Sequence, residues 1–366
     1  MVAPGNFSQI CRIKGANLHK KPSVSKNFLA NPHTQITKGD LHGNFINILY
    51  LLVLHGIIEL SGADYDSLVQ LSCRPAQELN AGHLKAFKQI LSRITVNHHN
   101  IGLLLLLGDE LADRGSNDYF TLKIFERLAA ENIPFEILLS NHGCEFICDY
   151  EKGATGYNEY VMPKEFTHSL REMKVLLRND LITVDEIENL VEKCYKPYLK
   201  LISSTLTPDG GIILYTHAPF GLAGFKSLAD KFHITYEDIT VTALAQTIDK
   251  INGAFNTLKN AGNIHTLFDL DIIGQVSRSE SDALLTEHNF PFEFLIWSRI
   301  HTNLDRPLSH NGYTLTFVHG HDSTPFSAPN VVNLDSMLGK YEENTIDEYK
   351  VLYTEKLAKT GLVELH

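Results

Sequence analysis

Leu103 to Leu107 are five consecutive leucines, bounded by Gly102 and Gly108. A half-exposed strand would alternate apolar with polar residues. A run with no polar residue on either face predicts a central strand covered on both sides, as in an α/β fold. The apolar run stops at Gly108, and Asp109, Asp113 and Arg114 follow before Gly115. Open α/β sheets place ligands at the C-terminal ends of their strands, so this junction is a candidate site. Four other apolar runs end the same way. Thr34–Lys38 leads into Gly39-Asp40-Leu41-His42-Gly43, and Pro134–Leu139 into Ser140-Asn141-His142. Gly211–Tyr215 leads into Thr216-His217, and Thr314–Val318 into His319-Gly320-His321.

Between these strands the apolar spacing turns helical. Phe45–Leu60 reads as a core helix, interrupted by Asn47, His55 and Glu59, and too polar for a membrane span. Leu84, Phe87, Ile90 and Leu91 predict an inserted helix between Gly62 and Asn97, and Thr121–Ala130 another. Thr183 and Glu186 have capping-box spacing ahead of an apolar face at Val184, Ile187, Leu190 and Val191. Val241, Leu244, Ile248, Ile251, Phe255 and Leu258 keep one face until Gly262 ends the helix. Phe294–Trp297 reads as a strand ending in Ser298-Arg299, Val331–Leu334 as a last strand, and Ile346–Leu357 as a terminal helix. Residues 1–32 read as an N-terminal arm that packs loosely, leaving 33–366 as a single domain.

A formal charge of −11 argues against broad attraction to nucleic acid or an anionic membrane, so any phosphate must be held locally. Five cysteines are an odd number without paired spacing, which points to a reducing, cytoplasmic type of fold rather than a disulfide framework. Cys144 and Cys148 lack a second pair to complete a zinc site. The N-terminus has no compact apolar stretch of a cleaved signal peptide.

Taken singly, Gly-Asp-x-His-Gly or a histidine after a strand is common turn composition. Together, Asp40, His42, Asp109, Asn141, His217 and His321 all fall where a strand ends, on one edge of the sheet. Carboxylate, amide and imidazole donors without thiolate suit Mn²⁺, Fe or Zn²⁺. The ordered motifs resemble the phosphoprotein phosphatase (PPP) branch of the calcineurin-like metallophosphoesterases. The insertions and the wording of the motifs are most similar to the Wip-type effector phosphatases of intracellular bacteria.

That resemblance implies a four-layer α/β/β/α sandwich, with helical insertions 155–208 and 221–290 forming a cap. It implies two divalent metal ions, most simply Mn²⁺, one held by Asp40, His42 and Asp109, the other by Asp109, Asn141, His217 and His321. A metal-bridging hydroxide would then attack phosphoserine or phosphothreonine in a protein substrate. Arg114 and Arg299 would bind phosphate oxygens, and His142 would protonate the leaving oxygen with Asp113 orienting it. A Wip-like identity would imply secretion into a host cell. Three departures stand out: three residues rather than two separate Asp109 from Asp113, Gly143-Cys144 separates His142 from Glu145, and Ala218-Pro219 follows His217.

No cysteine is followed six residues later by arginine, as a cysteine-based phosphatase requires. The Gly221–Ser227 segment lacks the Gly-Lys step of a phosphate loop. Nuclease and cyclic-nucleotide relatives usually end in Gly-His-x-His, where this chain has Ser323. Three readings stay open: a serine/threonine phosphatase, a phosphotyrosine phosphatase or dinucleoside-polyphosphate hydrolase on the same site, and a partner-binding effector module with vestigial hydrolysis.

Overall fold

The computed structural model describes residues 8–24, 32–97, 101–153, 166–269, 286–299, 304–324 and 328–355. Strand β1 (Ser8–Asn17) is followed by β2 (Thr34–Lys38) and then α1 (Phe45–Leu54), which is buried along its whole length. Helix α1 stops earlier than its apolar run because Gly56 adopts φ 65°, the left-handed turn that ends a helix. An excursion of β3 (Ile58–Glu59), α2 (Gly62–Ser72), α3 (Ala81–Arg93) and β4 (Thr95–Val96) closes on itself through β3–β4 pairing. The leucine run forms β5 (Leu103–Leu106), buried throughout. Then come α4 (Asp118–Ala130), β6 (Phe135–Leu138) and α5 (Asn141–Glu151).

Helices α6 (His168–Arg178) and α7 (Val184–Leu190) lead to β7 (Leu199–Lys200), β8 (Ser203–Leu206) and β9 (Ile212–Tyr215). Thr183 caps α7 by accepting the Glu186 N–H, as its spacing predicts. The chain continues through α8 (Leu222–Lys231), α9 (Val241–Asn260) and α10 (Pro291–Trp297). It closes with β10 (Ser309–His310), β11 (Tyr313–His319), β12 (Val331–Asn333) and β13 (Ile346–Glu355).

One sheet has the order β1-β13-β2-β5-β6-β7, and a second runs β10-β11-β9-β8 with β12 also on β11. Strands β2, β5, β6 and β7 are mutually parallel, as are β9, β11 and β12, so their C-terminal ends gather on shared edges. Leu105, Leu107, Leu138 and Leu352 of the first sheet share a buried cluster with Ile213, Tyr215, Val318 and Leu334 of the second. The two sheets are also bridged by Tyr215 Oη to Thr354 Oγ1 at 3.1 Å and Thr205 Oγ1 to Gln35 Oε1 at 2.9 Å. Leu104 and Leu106, pointing the other way by strand alternation, belong to the larger core with residues of α1 and α4. The mixed α/β class expected from the leucine run is what the chain adopts.

Four local expectations are corrected. Ile346–Glu355 is a strand between β1 and β2, not a terminal helix; Tyr349, Val351, Leu352 and Thr354 are all buried, so pairing on both sides overrides local preference. Residues 356–357 of that expected helix lie outside the described residues. Ser8–Asn17 is an edge strand of the same sheet rather than a loose arm. Phe294–Trp297 is the end of a helix opened by Pro291 at its first turn, a short apolar run that period alone does not distinguish from a strand. Residues 199–206, inside the block expected to be helical, supply one short strand to each sheet.

Candidate metal centre

Six side chains expected at strand ends converge in the structure, and all of them are buried: Asp40, His42, Asp109, Asn141, His217 and His321. The backbone is bent to bring them in. His42, Asp109 and His321 have φ of 58°, 56° and 66°, a left-handed conformation that costs about 1–3 kcal/mol where the residue is not glycine. The glycines beside them permit the approach. A Cβ on Gly320 would stand 2.1 Å from Asp40 Oδ1, and one on Gly39 would stand 2.3 Å from the Leu334 carbonyl oxygen.

Each histidine of the cluster has one ring nitrogen pinned by a backbone carbonyl. His217 Nδ1 meets Leu107 O at 2.8 Å, His321 Nε2 meets Trp297 O at 3.2 Å, and His42 Nε2 meets Ser336 O at 2.8 Å. A carbonyl only accepts, so these nitrogens carry the proton and the opposite nitrogens present lone pairs. His217 Nε2 then faces Asn141 Oδ1 at 2.9 Å, His321 Nδ1 at 3.1 Å and Asp109 Oδ1 at 3.5 Å. With Asn141 oriented by its oxygen, four acceptors face one another with no proton between them. Asp109 Oδ1 and His42 Nδ1 are buried and have no hydrogen-bond partner among the described residues. A buried acceptor cluster of this kind could hold a cation.

Among the described residues Asp109 is common to three groups of closely spaced ligand atoms, one with His217 and His321, one with Asp40 and His42, and one with Asp113 and His142. The electrostatics agree. Burial, together with the neighbouring Asp335 and Asp109 carboxylates, pushes Asp40 well above the usual carboxylate range, against the opposing His321 backbone N–H and Lys340. Burial also lowers His217, and lowers His321 further with Arg299 nearby, which keeps both rings neutral and able to donate lone pairs. Crowded carboxylates and neutral imidazoles fit a divalent cation of borderline hardness, and the site contains no thiolate.

Beside the acceptor cluster, His142 Nδ1 meets the Ala112 carbonyl at 2.7 Å and its Nε2 lies 3.2 Å from Asp113 Oδ1. The extra residue between Asp109 and Asp113 is absorbed at Ala112, which turns to φ 51° and donates its N–H to both oxygens of Asp118. Asp113 and His142 therefore meet despite the longer spacing. Burial would raise Asp113, but His142, His42 and Arg114 outweigh it and hold the carboxyl well below its usual range. Arg114 reaches Asp113 Oδ1 at 2.6 Å, with its guanidinium 4.4 Å from the Phe166 ring centre and 5.5 Å from that of Tyr341. Arg299 is exposed and acts on this centre through its field on His321.

A family model described as the WipA-like phosphatase domain matches residues 103–340. The chain belongs to the WipA-like phosphatase family. A solved relative, the phosphatase domain of the Legionella effector WipB, is 30% identical, covers 80% of this chain and 100% of its own, and superposes with a TM-score of 0.70. No curated protein matches. Membership in the WipA-like family makes this a phosphatase domain, a hydrolase of phosphoric monoesters. No helix among the described residues is long and apolar enough to cross a membrane.

Several supporting residues escaped the sequence reading. Ser140 Oγ accepts from both Asp109 N at 2.9 Å and Gly143 N at 2.8 Å, so one hydroxyl caps α5 and fixes the loop carrying Asp109. Asp335 is buried, its Oδ1 lies 3.7 Å from His42 Nε2, and neither of its side-chain oxygens has a hydrogen-bond partner among the described residues. It follows the end of β12, so the strand-end rule that gathered the six candidate residues could have found it. Lys38, fully buried on β2, is brought down to about 8 by burial, against the opposing fields of Asp40 and Asp335. Nothing in its local sequence signals this.

Proposed function

We propose that this chain is a dimetal-dependent phosphoprotein phosphatase that hydrolyses phosphoserine and phosphothreonine monoesters. The observation that carries the reading is the sharing of Asp109 between the group with Asp40 and His42 and the group with His217 and His321, with a buried oxygen that no donor among the described residues satisfies. Asp40, His42 and Asp109 would hold one cation, and Asp109, Asn141, His217 and His321 the other. When bound, two divalent ions, with Mn²⁺ the simplest choice, supply Lewis acidity to the phosphoryl oxygens and to the attacking water.

The protein's own groups do the rest. Arg114, stacked between two rings, offers a planar fork to two phosphate oxygens and offsets charge in the transition state. Arg299, exposed beside His321, is assigned a second phosphate contact. His142, with Nδ1 fixed on the Ala112 carbonyl and Nε2 facing Asp113, is assigned to protonate the leaving oxygen, for which Nε2 exchanges its Asp113 contact for that oxygen. Asp113 orients that ring and steadies its charge, general-acid help worth about 10²–10⁴ in rate. By the likeness to WipB, the protein acts as a bacterial effector inside a host cell.

The test is purified protein with Mn²⁺ on phosphoserine, phosphothreonine and phosphotyrosine peptides beside a dinucleoside tetraphosphate. Turnover of the first two, abolished in Asp109→Asn, supports the reading. Preference for phosphotyrosine or the dinucleotide would keep the catalyst and replace the substrate. Equal residual activity in Asp109→Asn and wild type would leave only a partner-binding module.

A further inference from the structure

Helix α6 is bolted to the loop that carries Asp113 and Arg114. Ser169 N donates to Asp113 O at 2.9 Å, Asp113 N donates to Ser169 Oγ at 3.0 Å, and His168 Nδ1 meets Gly115 O at 3.0 Å. From that anchor one face of the helix runs along a groove of about 930 Å³ that begins at Arg114. Six of its lining residues are Arg or Lys, namely Arg74, Arg114, Arg171, Lys174, Arg178 and Lys340, against two carboxylates. The chain as a whole has 32 Lys and Arg against 43 Asp and Glu, so this groove is opposite in sign to the net charge of the chain.

Some of these charges are already committed. Lys174 bonds Asp149 at 2.5 Å, and Arg171 Nε donates to Thr167 Oγ1. Arg178 and Lys340 have no ion-pair partner among the described residues, and Arg74 has only an exposed neighbour, Glu78, at 3.6 Å. Arg171 and Arg178 are seven residues apart on α6, which is about 10 Å along the axis, or roughly three residues of extended peptide. The positive field therefore begins at the phosphate-facing arginine and continues for the length of a short peptide.

We propose that the groove selects phosphopeptides carrying further anionic groups, either carboxylates or a second phosphate, within a few residues of the scissile phosphate. The inference rests on the phosphatase reading of the neighbouring centre and adds the class of sequence that it takes. Arg114 meets the scissile group, while Arg74, Arg178 and Lys340 meet the flanking charges. Attraction by surface cations falls with added salt, so the selectivity does too.

Its test uses four phosphopeptides with the same scissile residue, flanked by neutral, basic or glutamate-rich sequence or by a second phosphoserine. Binding of each is followed by fluorescence anisotropy in EDTA, and hydrolysis with Mn²⁺ in parallel. Wild type should bind and turn over the glutamate-rich and doubly phosphorylated peptides about tenfold better than the neutral one at low salt, and less selectively at high salt. The double substitution Arg74→Glu with Arg178→Glu, at two surface positions, should abolish that preference and leave turnover of a small aryl phosphate unchanged. Equal affinity for neutral and acidic peptides, or a preference that survives the double substitution, would overturn the proposal. So would tight binding of a dinucleoside tetraphosphate with no preference among peptides. Loss of all hydrolysis with acidic-peptide binding intact would instead count against the catalytic reading alone.

Discussion

Replacing Gly320 by alanine tests the geometry of the centre through one methyl group. Gly320 is not among the glycines with positive φ, so alanine strains the backbone only through contact. Its Cβ would stand 2.1 Å from Asp40 Oδ1, well inside the ~3.5 Å of ordinary carbon contact. Asp40 must therefore turn. Its two oxygens accept the His321 N–H at 2.9 and 3.0 Å, a charge-assisted bond worth about 1.5–3 kcal/mol, and the same turn moves the carboxylate away from His42 and Asp109. At 1.4 kcal/mol per factor of ten, Mn²⁺ binding should weaken by about 10–100-fold. Isothermal titration of folded Gly320→Ala with Mn²⁺ measures this without relying on turnover, and circular dichroism checks the fold. Affinity within twofold of wild type would refute the assignment of Asp40 to the cation site.

Three further outcomes follow from neighbouring residues. Ser140→Ala removes the cap of α5 and the anchor of the Asp109 loop, so chemical denaturation should show a loss of about 1–2 kcal/mol, with weaker metal binding as well. Arg114→Lys keeps the charge but loses the fork and the stacking, and kcat/KM for an aryl phosphate should fall about 10–100-fold, whereas an unchanged value would remove Arg114 from phosphate binding. Burial pushes Glu110 from the ordinary value of 4.5 up to about 8, against its bond from Tyr195 Oη. The folded metal-free protein thus holds a proton there that the unfolded chain releases. The contribution of Glu110 to the unfolding free energy should fall as pH rises from 4.5 to about 8 and then level off, so Glu110→Gln should make the measured slope shallower over that range.

The strand ends were legible because each combines an abrupt change of polarity with a residue type that has little structural use there. Leu103–Leu107 announced a covered strand, and Asp109 after Gly108 announced what it delivers. Local signals also placed α7, where Thr183 caps as its spacing implies, and α9, from its continuous apolar face. Long-range pairing was not legible. Ile346–Glu355 becomes a central strand only because β1 and β2 lie on either side, and neither partner is visible in its own ten residues. The same holds for Ser140, whose hydroxyl reaches a loop 31 positions away, and for Ala112, whose left-handed turn lets Asp113 keep its contact with His142. Alanine in that conformation has no sequence signature.

The most direct test is the metal content of the folded protein, measured by elemental analysis after loading with Mn²⁺ and removing the excess. Two ions per chain in wild type, falling to one or none in a folded Asp109→Asn variant, is the predicted result. Two ions retained in that variant, or none in wild type, would contradict a centre built around a shared carboxylate.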